Sequence, residues 1–152
     1  RAYKRGVYPV FDSEKHSDYI AGRKIRLGAY GDPAAAPYNV LSDFVALGIG
    51  HTGYTHQYNH PKFDRRFFNL VMASVDTPKM ADKLQKKGAH TFRVALVGDS
   101  LSSVETECLY DAEQVKCADC LICDGKSGNI AIQVHGSRKS NFKSVLIPII
   151  ET

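Results

Sequence analysis

An α/β fold with a mainly parallel sheet of about five strands, built from βα units, is predicted by three features of this 152-residue chain. Short apolar segments of strand length alternate with segments of helical periodicity, the pattern of a parallel sheet with crossover helices. Turn residues punctuate the junctions, at Gly31-Asp32-Pro33, at Asp76-Thr77-Pro78 and at Gly88. All four cysteines lie in one stretch, Cys108 to Cys123, which reads as a metal-binding loop near the end of the domain. About five strands are too few to close an eight-stranded barrel. The sheet is therefore expected to be open, or to form a TIM-like half of a part-barrel completed by residues outside this chain.

The elements follow in order. Residues 1–22 mix aromatics and charges without clear periodicity and read as helix and loop. Lys24 to Tyr30 alternates polar and apolar residues and breaks at Gly31, as a strand ending in a sharp turn does. Pro37 to Leu47 carries Val40, Leu41, Phe44, Val45 and Leu47 on a helical face, opened by proline and stopped by Gly48. Gly53 to His56 is a short strand, and the polar loop from Gln57 to Arg66 follows. Phe67 to Val75 is the most apolar run and is expected to be a central strand buried on both faces. Lys79 to Lys87 is helical, with Met80, Ala81 and Leu84 inward and Gly88 as its stop. Thr91 to Leu96 and Asn129 to Val134 are the fourth and fifth strands; a basic loop, Ser137 to Lys143, then leads into an apolar end, Val145 to Ile150.

Composition bounds the function. A hydrophobic fraction of 43% and a charged fraction of 24% belong to a globular domain rather than a disordered chain. Residues 1–152 are expected to form a single α/β domain, since no linker divides them. Net charge is +4 and the isoelectric point near 8.9, a mild bias toward anionic partners such as a nucleotide or nucleic acid. No apolar run reaches the roughly 20 residues of a membrane span, and the basic start has no apolar signal core. No membrane partner is expected, and the cytoplasm is the expected compartment. A start at Arg1 rather than Met reads as a fragment or a processed product.

The strand ends supply candidate chemistry, because parallel α/β folds gather their sites at the carboxyl ends of their strands. Asp32, His56 and Asp76 are the candidate catalytic residues, as acid–base or substrate-orienting groups, with Tyr54 and Thr55 able to orient His56. Arg93 is a candidate anion clamp. The loop residues Arg138, Lys139 and Lys143 are candidate phosphate contacts, with Phe142 available for stacking. Each has a plainer reading: Asp32 before proline is an ordinary turn residue, Asp76 a helix-capping residue, and the basic loop a solvated surface.

The cysteines are spaced C-x8-C-x2-C-x2-C, as Cys108, Cys117, Cys120 and Cys123. Clustered thiols without a secretory signal favour metal over disulfides. Three cysteines at two-residue gaps plus one remote cysteine suit the corners of a [4Fe–4S] cluster, although Leu109 stands where a ferredoxin-type run has proline. Zinc remains open as the alternative ion. His135 is close enough in sequence to replace one thiolate, and Lys116 and Lys126 flank the segment and offset its charge.

The segments RLGAYGDPAAAP (Arg26 to Pro37), GYTHQY (Gly53 to Tyr58), LVMASVDTP (Leu70 to Pro78), TFRV (Thr91 to Val94), CADCLICDG (Cys117 to Gly125) and IAIQVHG (Ile130 to Gly136) resemble, in order, an uncharacterised protein family from phages and plasmids. The resemblance implies a phage or mobile-element origin and an additional upstream cysteine-containing region in other members, so that this chain is expected to be the C-terminal part of a longer protein, with a missing N-terminal half or a companion chain as a partner. It implies no established activity. Comparison with radical-SAM enzymes would make the thiols an auxiliary cluster site, because the C-x3-C-x2-C run of that superfamily is not in this sequence.

Three functions are thus expected. The first is a metal or iron–sulfur enzyme acting on a nucleotide or nucleic acid. The second is a zinc-stapled nucleic-acid-binding module without catalysis. The third is a transglycosylase-like part-barrel with a zinc site and an aspartate nucleophile at Asp76.

Overall fold

A computed structural model of the chain describes residues 3–7, 9–96 and 98–134. The basic loop at 137–143, His135 and the apolar segment 145–150 lie outside the described residues. The main sheet has five strands: β3 (Tyr54–Thr55), β4 (Met72–Val75), β5 (Thr91–Ala95), β6 (Glu105–Glu107) and β7 (Asn129–Gln133). Their spatial order is β3-β4-β5-β7-β6, and every pairing is parallel. Two further strands, β1 (Lys24–Arg26) and β2 (Gly50–Thr52), form a separate parallel pair. The α/β class and the parallel sheet are as the sequence predicts.

Gly53 joins the two sheets. Its carbonyl accepts from Met72 N at 3.0 Å, and the neighbouring Thr52 carbonyl accepts from Leu27 N at 2.8 Å. One extended stretch, 50–55, thus pairs with β1 first and β4 afterwards. A Cβ at Gly53 would stand 2.7 Å from Val71 Cγ1 and 3.0 Å from Leu27 Cβ, so the approach of these side chains requires glycine there.

The helices form for readable reasons. In α3 (Pro78–Gln85) the Thr77 hydroxyl caps Met80 N at 3.2 Å, and proline occupies the first turn, where its missing N–H is no loss. Its inward residues, Ala81 and Leu84, pack with Phe68, Ala73, Val75 and Ala89. Burying a leucine such as Leu84 contributes about 1.5–3 kcal/mol. The chain leaves the helix at Gly88, whose φ of +83° suits glycine. In α1 (Ser13–Ile20) the Asp12 carboxylate caps Glu14 N and Lys15 N, both at 3.1 Å. Ile20 joins Ile25, Leu27, Phe67, Leu70 and Val71 in a second core, against which α2 (Tyr38–Ala46) lays Leu41, Phe44 and Val45.

Two sequence expectations need correction. Phe67–Val75 is not one strand: Arg65–Asn69 is a 3-10 turn, capped by the Asp64 carboxylate on Arg66 N at 3.0 Å, and β4 starts only at Met72. The local bonds Phe67 N to Asp64 O and Leu70 N to Phe67 O win over extension. The first expected strand, Lys24 to Tyr30, ends at Arg26 and pairs with β2 instead of joining the main sheet, whose fifth member is the edge strand β6, a segment without a strand signal in the sequence.

β5 divides the two faces of the sheet. Phe92 and Val94 point one way; Thr91, Arg93 and Ala95 point the other, where α3 packs over Ala73 and Val75. This alternation decides which strand residues share the space beneath the cysteines.

Candidate metal centre and its cavity

The chain passes from β6 directly into the cysteine segment. Cys108 follows Glu107, and its N–H continues the ladder to Ala131 O at 2.8 Å. A short helix, α4 (Leu109–Glu113), ends at Gln114 in the left-handed region, with φ of 58°. The single turn α5 (Cys117–Cys120) places Cys117 and Cys120 three residues apart on one helical face. Leu121 is again left-handed, with φ of 57°. That turn returns Ile122 and Cys123 toward the sheet, where Cys123 O accepts from Gly53 N at 3.0 Å. Non-glycine residues in this region carry backbone strain, and such strain tends to collect at ligand sites.

The Asp124-Gly125 pair that follows is equally determined. Burial pushes the Asp124 carboxyl up, but the N–H groups of Lys126 and Ser127, with the Ser127 hydroxyl, outweigh it and hold the carboxyl below its ordinary range. Gly125 has φ of +82°, and a Cβ there would stand 2.7 Å from Val71 N and 2.9 Å from Phe68 O. The segment is thus pressed against the backbone entering β4. Across the surface, Lys24 Nζ meets Asp119 Oδ1 at 3.3 Å, an exposed pair worth little on its own.

Beneath this segment is a cavity of about 510 Å³, lined by all four cysteines. Its floor is the face of the sheet opposite α3, contributed by Phe92, Val94, Ile130 and Ile132; Leu109, Val115, Leu121 and Ile122 wall it from above. Polar groups are few: Arg26, Thr52, Tyr54 and Gln133 beside the thiols. The Tyr54 and Phe92 rings pack at 4.5 Å between centroids, tilted by 52°. Cys123 is buried, Cys108 and Cys120 are half-buried, and Cys117 is exposed.

Burial pushes the Cys123 thiol up to about 11; the Tyr54 hydroxyl opposes the shift, while charge on Cys108, Cys117 and Cys120 adds to it. The Tyr54 hydroxyl is itself pushed up by burial and by the Cys123 sulfur. Four thiolates in an apolar cavity therefore disfavour one another, and a bound cation would remove that penalty. The donor set fits a thiophilic ion or an iron–sulfur cluster. Among the described residues, the side chains as they stand form no group of three or more His, Cys, Asp or Glu set to hold a metal ion.

The predicted strand-end residues have other surroundings. Asp32 caps the 3-10 turn Pro33–Ala35: Oδ1 accepts from Ala34 N at 2.9 Å and from Thr55 Oγ1 at 2.7 Å, and Oδ2 accepts from His56 N at 2.7 Å. Asp32 and His56 are thus brought together, through the His56 backbone. Asp76 is exposed after β4, and its charge reaches the Tyr58 hydroxyl. None of the three lines the thiol cavity. Arg93 is fully buried on the α3 side of the sheet, its guanidinium held by Glu105, so an anion clamp there would have to displace an internal carboxylate. Arg138, Lys139 and Lys143 lie outside the described residues.

Arg26 and Phe92 were not legible as site residues. Both sit in ordinary strand patterns, and only the register that places Phe92 beside Ile130 and beneath the cysteines gives them a place there. Among the described residues, no helix is long and apolar enough to cross a membrane. No protein-family model, curated protein or solved structure matches this chain.

Proposed function

We propose that the chain is a cysteine-ligated metal protein, an iron–sulfur protein in the first instance, that acts as an enzyme on a nucleotide or nucleic acid. One observation carries this reading: Cys108, Cys117, Cys120 and Cys123 all line a single apolar cavity. Those four residues would hold the group, and a cluster there would supply electron transfer or Lewis acidity. The remaining lining suits the substrate class. The Tyr54–Phe92 pair offers aromatic surface to a base, and Arg26 at the same cavity offers a cation to a phosphate. Tyr54 also packs beside Cys123 in the cavity wall, so it would orient whatever the thiolates bind. A mobile-element origin is part of the proposal and rests on the resemblance of segments such as GYTHQY and CADCLICDG to phage and plasmid proteins.

Anaerobic purification with iron, sulfide and zinc analysis tests the reading. About four irons and four sulfides per chain are expected, with a brown chromophore that disappears in Cys117→Ala and Cys123→Ala. A protein that holds neither iron nor zinc when loaded under reducing conditions would overturn it.

A second reading has its own support. The cysteine segment is tied to both sheets, by Cys123 O to Gly53 N and by Cys108 N to Ala131 O. A zinc ion at the thiolates would then staple this crossover in a nucleic-acid-binding module without catalysis. Colourless protein with one zinc per chain, which unfolds on chelation, favours the staple.

A further inference from the structure

A second cavity, of about 220 Å³, lies on the opposite side of the main sheet from the thiols, between α3 and the loop that precedes β4. Tyr58, Phe63 and Phe68 give it aromatic walls, and Met80 and Leu84 of α3 close its base. Three cations, Arg65, Lys83 and Lys87, complete the lining. All three are exposed, and none has an acidic partner within 4.0 Å among the described residues. Arg65 is held in place, because its Nη2 donates to Lys87 O at 3.3 Å.

Lysines 79, 83 and 87 recur at every fourth position, so the charges form a row along one side of α3 and its continuation. Lys83 lies in the last turn of α3 and Lys87 just beyond its end, where cations suit the helix dipole. With Arg65 they leave three exposed cations at the pocket mouth with no acidic partner within 4.0 Å among the described residues, a surface that suits an anionic ligand. The volume argues for which anion. It is smaller than the roughly 300–1,000 Å³ of pockets that enclose a drug-sized ligand. One planar ring fills it, and the rest of the ligand stays outside, where the cations stand.

We propose that this face binds single-stranded nucleic acid, with one base in the Tyr58–Phe63 pocket and neighbouring phosphates on Arg65, Lys83 and Lys87. A single strand presents unpaired bases to aromatic walls and carries a phosphate at each step. A duplex offers phosphates but no free base. The thiol cavity faces the other way, so this binding does not depend on a metal there.

Fluorescence anisotropy with a labelled ten-residue thymidine oligonucleotide tests the proposal on the full chain, with circular dichroism confirming the fold of each variant. Binding should weaken steeply with salt, and the double variant Lys83→Glu, Lys87→Glu should bind about tenfold or more weakly. Tyr58→Ala should lose about fivefold or more, as the loss of one stacked base does, with a salt slope close to that of the unaltered protein. Three results would overturn the proposal. The charge-reversed variant binds as before, Tyr58→Ala binds as before, or duplex of the same length binds as tightly as the single strand. Displacement of the oligonucleotide by thymidine 5′-monophosphate at equal concentration would overturn it too, since the ligand is then a free nucleotide.

Discussion

Arg93 and Glu105 form a two-pronged ion pair inside the sheet: Nε donates to Oε1 at 2.7 Å and Nη2 to Oε2 at 2.8 Å. Each side chain is about 1% exposed. Ser102 N donates to the same carboxylate at 3.0 Å, and Asp99 stands 3.7 Å from Nη1, which has no hydrogen-bond partner among the described residues. The pair ties the central strand β5 to the edge strand β6 across β7, which separates them in the sheet.

Removing one partner leaves a buried charge uncompensated, which costs about 3–5 kcal/mol. Glu105→Gln should therefore unfold at much lower urea concentration at pH 7. Arg93 holds the Glu105 carboxyl below its ordinary value of 4.5, so its folded-state pKa lies beneath that of the unfolded chain. The stabilisation is complete above the unfolded value and is lost as pH falls through the folded one. Urea titrations of both proteins from pH 7 to pH 3 should show the difference between them narrowing in acid. An unchanged difference across that range would place the loss in packing rather than charge.

The pair also shows what is legible in a sequence of this kind. Alternation in Thr91–Ala95 marks β5, and Thr77, Pro78 and Gly88 mark the ends of α3, because those signals are local. Glu105–Glu107 carries no such signal. It is a strand through its register with β7, in which Glu105 lies opposite Asn129, and its charges suit an edge. The run from Phe67 misleads for the opposite reason: its apolar density is real, but Asp64 and three short backbone bonds wind its first half into a turn. At the site, spacing alone singles out the four cysteines. The companions Arg26 and Phe92 come from strands 66 residues apart in sequence (92 − 26), so no local pattern could bring them together.

Asp32 accepts three hydrogen bonds that join the turn after β1 to the end of β3. Asp32→Ala should destabilise the protein by about 2–3 kcal/mol, since two buried or half-buried donors lose a charged acceptor. His56→Ala and Asp76→Ala remove exposed side chains and should stay within about 0.5 kcal/mol of the unaltered protein. Thermal denaturation ranks the three. Loss of turnover in His56→Ala or Asp76→Ala at full stability would then mark a catalytic residue. For Asp32, Asn is the better probe, because it keeps an acceptor for Thr55.

Gly125 should be the least replaceable residue after the cysteines. An added Cβ meets backbone atoms of Val71 and Phe68 at 2.7–2.9 Å, and the φ of +82° disfavours any side chain. Gly125→Ala is expected to cost about 2–4 kcal/mol from the two effects together. It should also lift the segment from the sheet and expose Cys123 to thiol reagents. Gly128→Ala is the control: a Cβ there meets nothing within 4 Å, and the backbone is ordinary. Equal melting temperatures and equal thiol reactivity for the two variants would sink this account of the Asp124-Gly125 turn.

Gln114 tests whether the strain at the ends of the short helices is local. It is exposed, its φ is 58°, and its amide makes one bond, Nε2 to Tyr110 O at 3.0 Å. A left-handed conformation costs a side-chain-bearing residue about 1–2 kcal/mol, which glycine does not incur. The greater freedom of glycine in the unfolded chain offsets part of that gain. Gln114→Gly should therefore stabilise the protein by about 0.5–1 kcal/mol in urea denaturation. Leu121 has the same φ but packs its side chain against Gly50, so Leu121→Gly should lose more in packing than it gains in the backbone. Stabilisation at 114 with destabilisation at 121 would show that strain beside the thiols is retained for the position it gives Leu121 and Cys123. Stabilisation at both would show that the fold holds the cysteine segment without it.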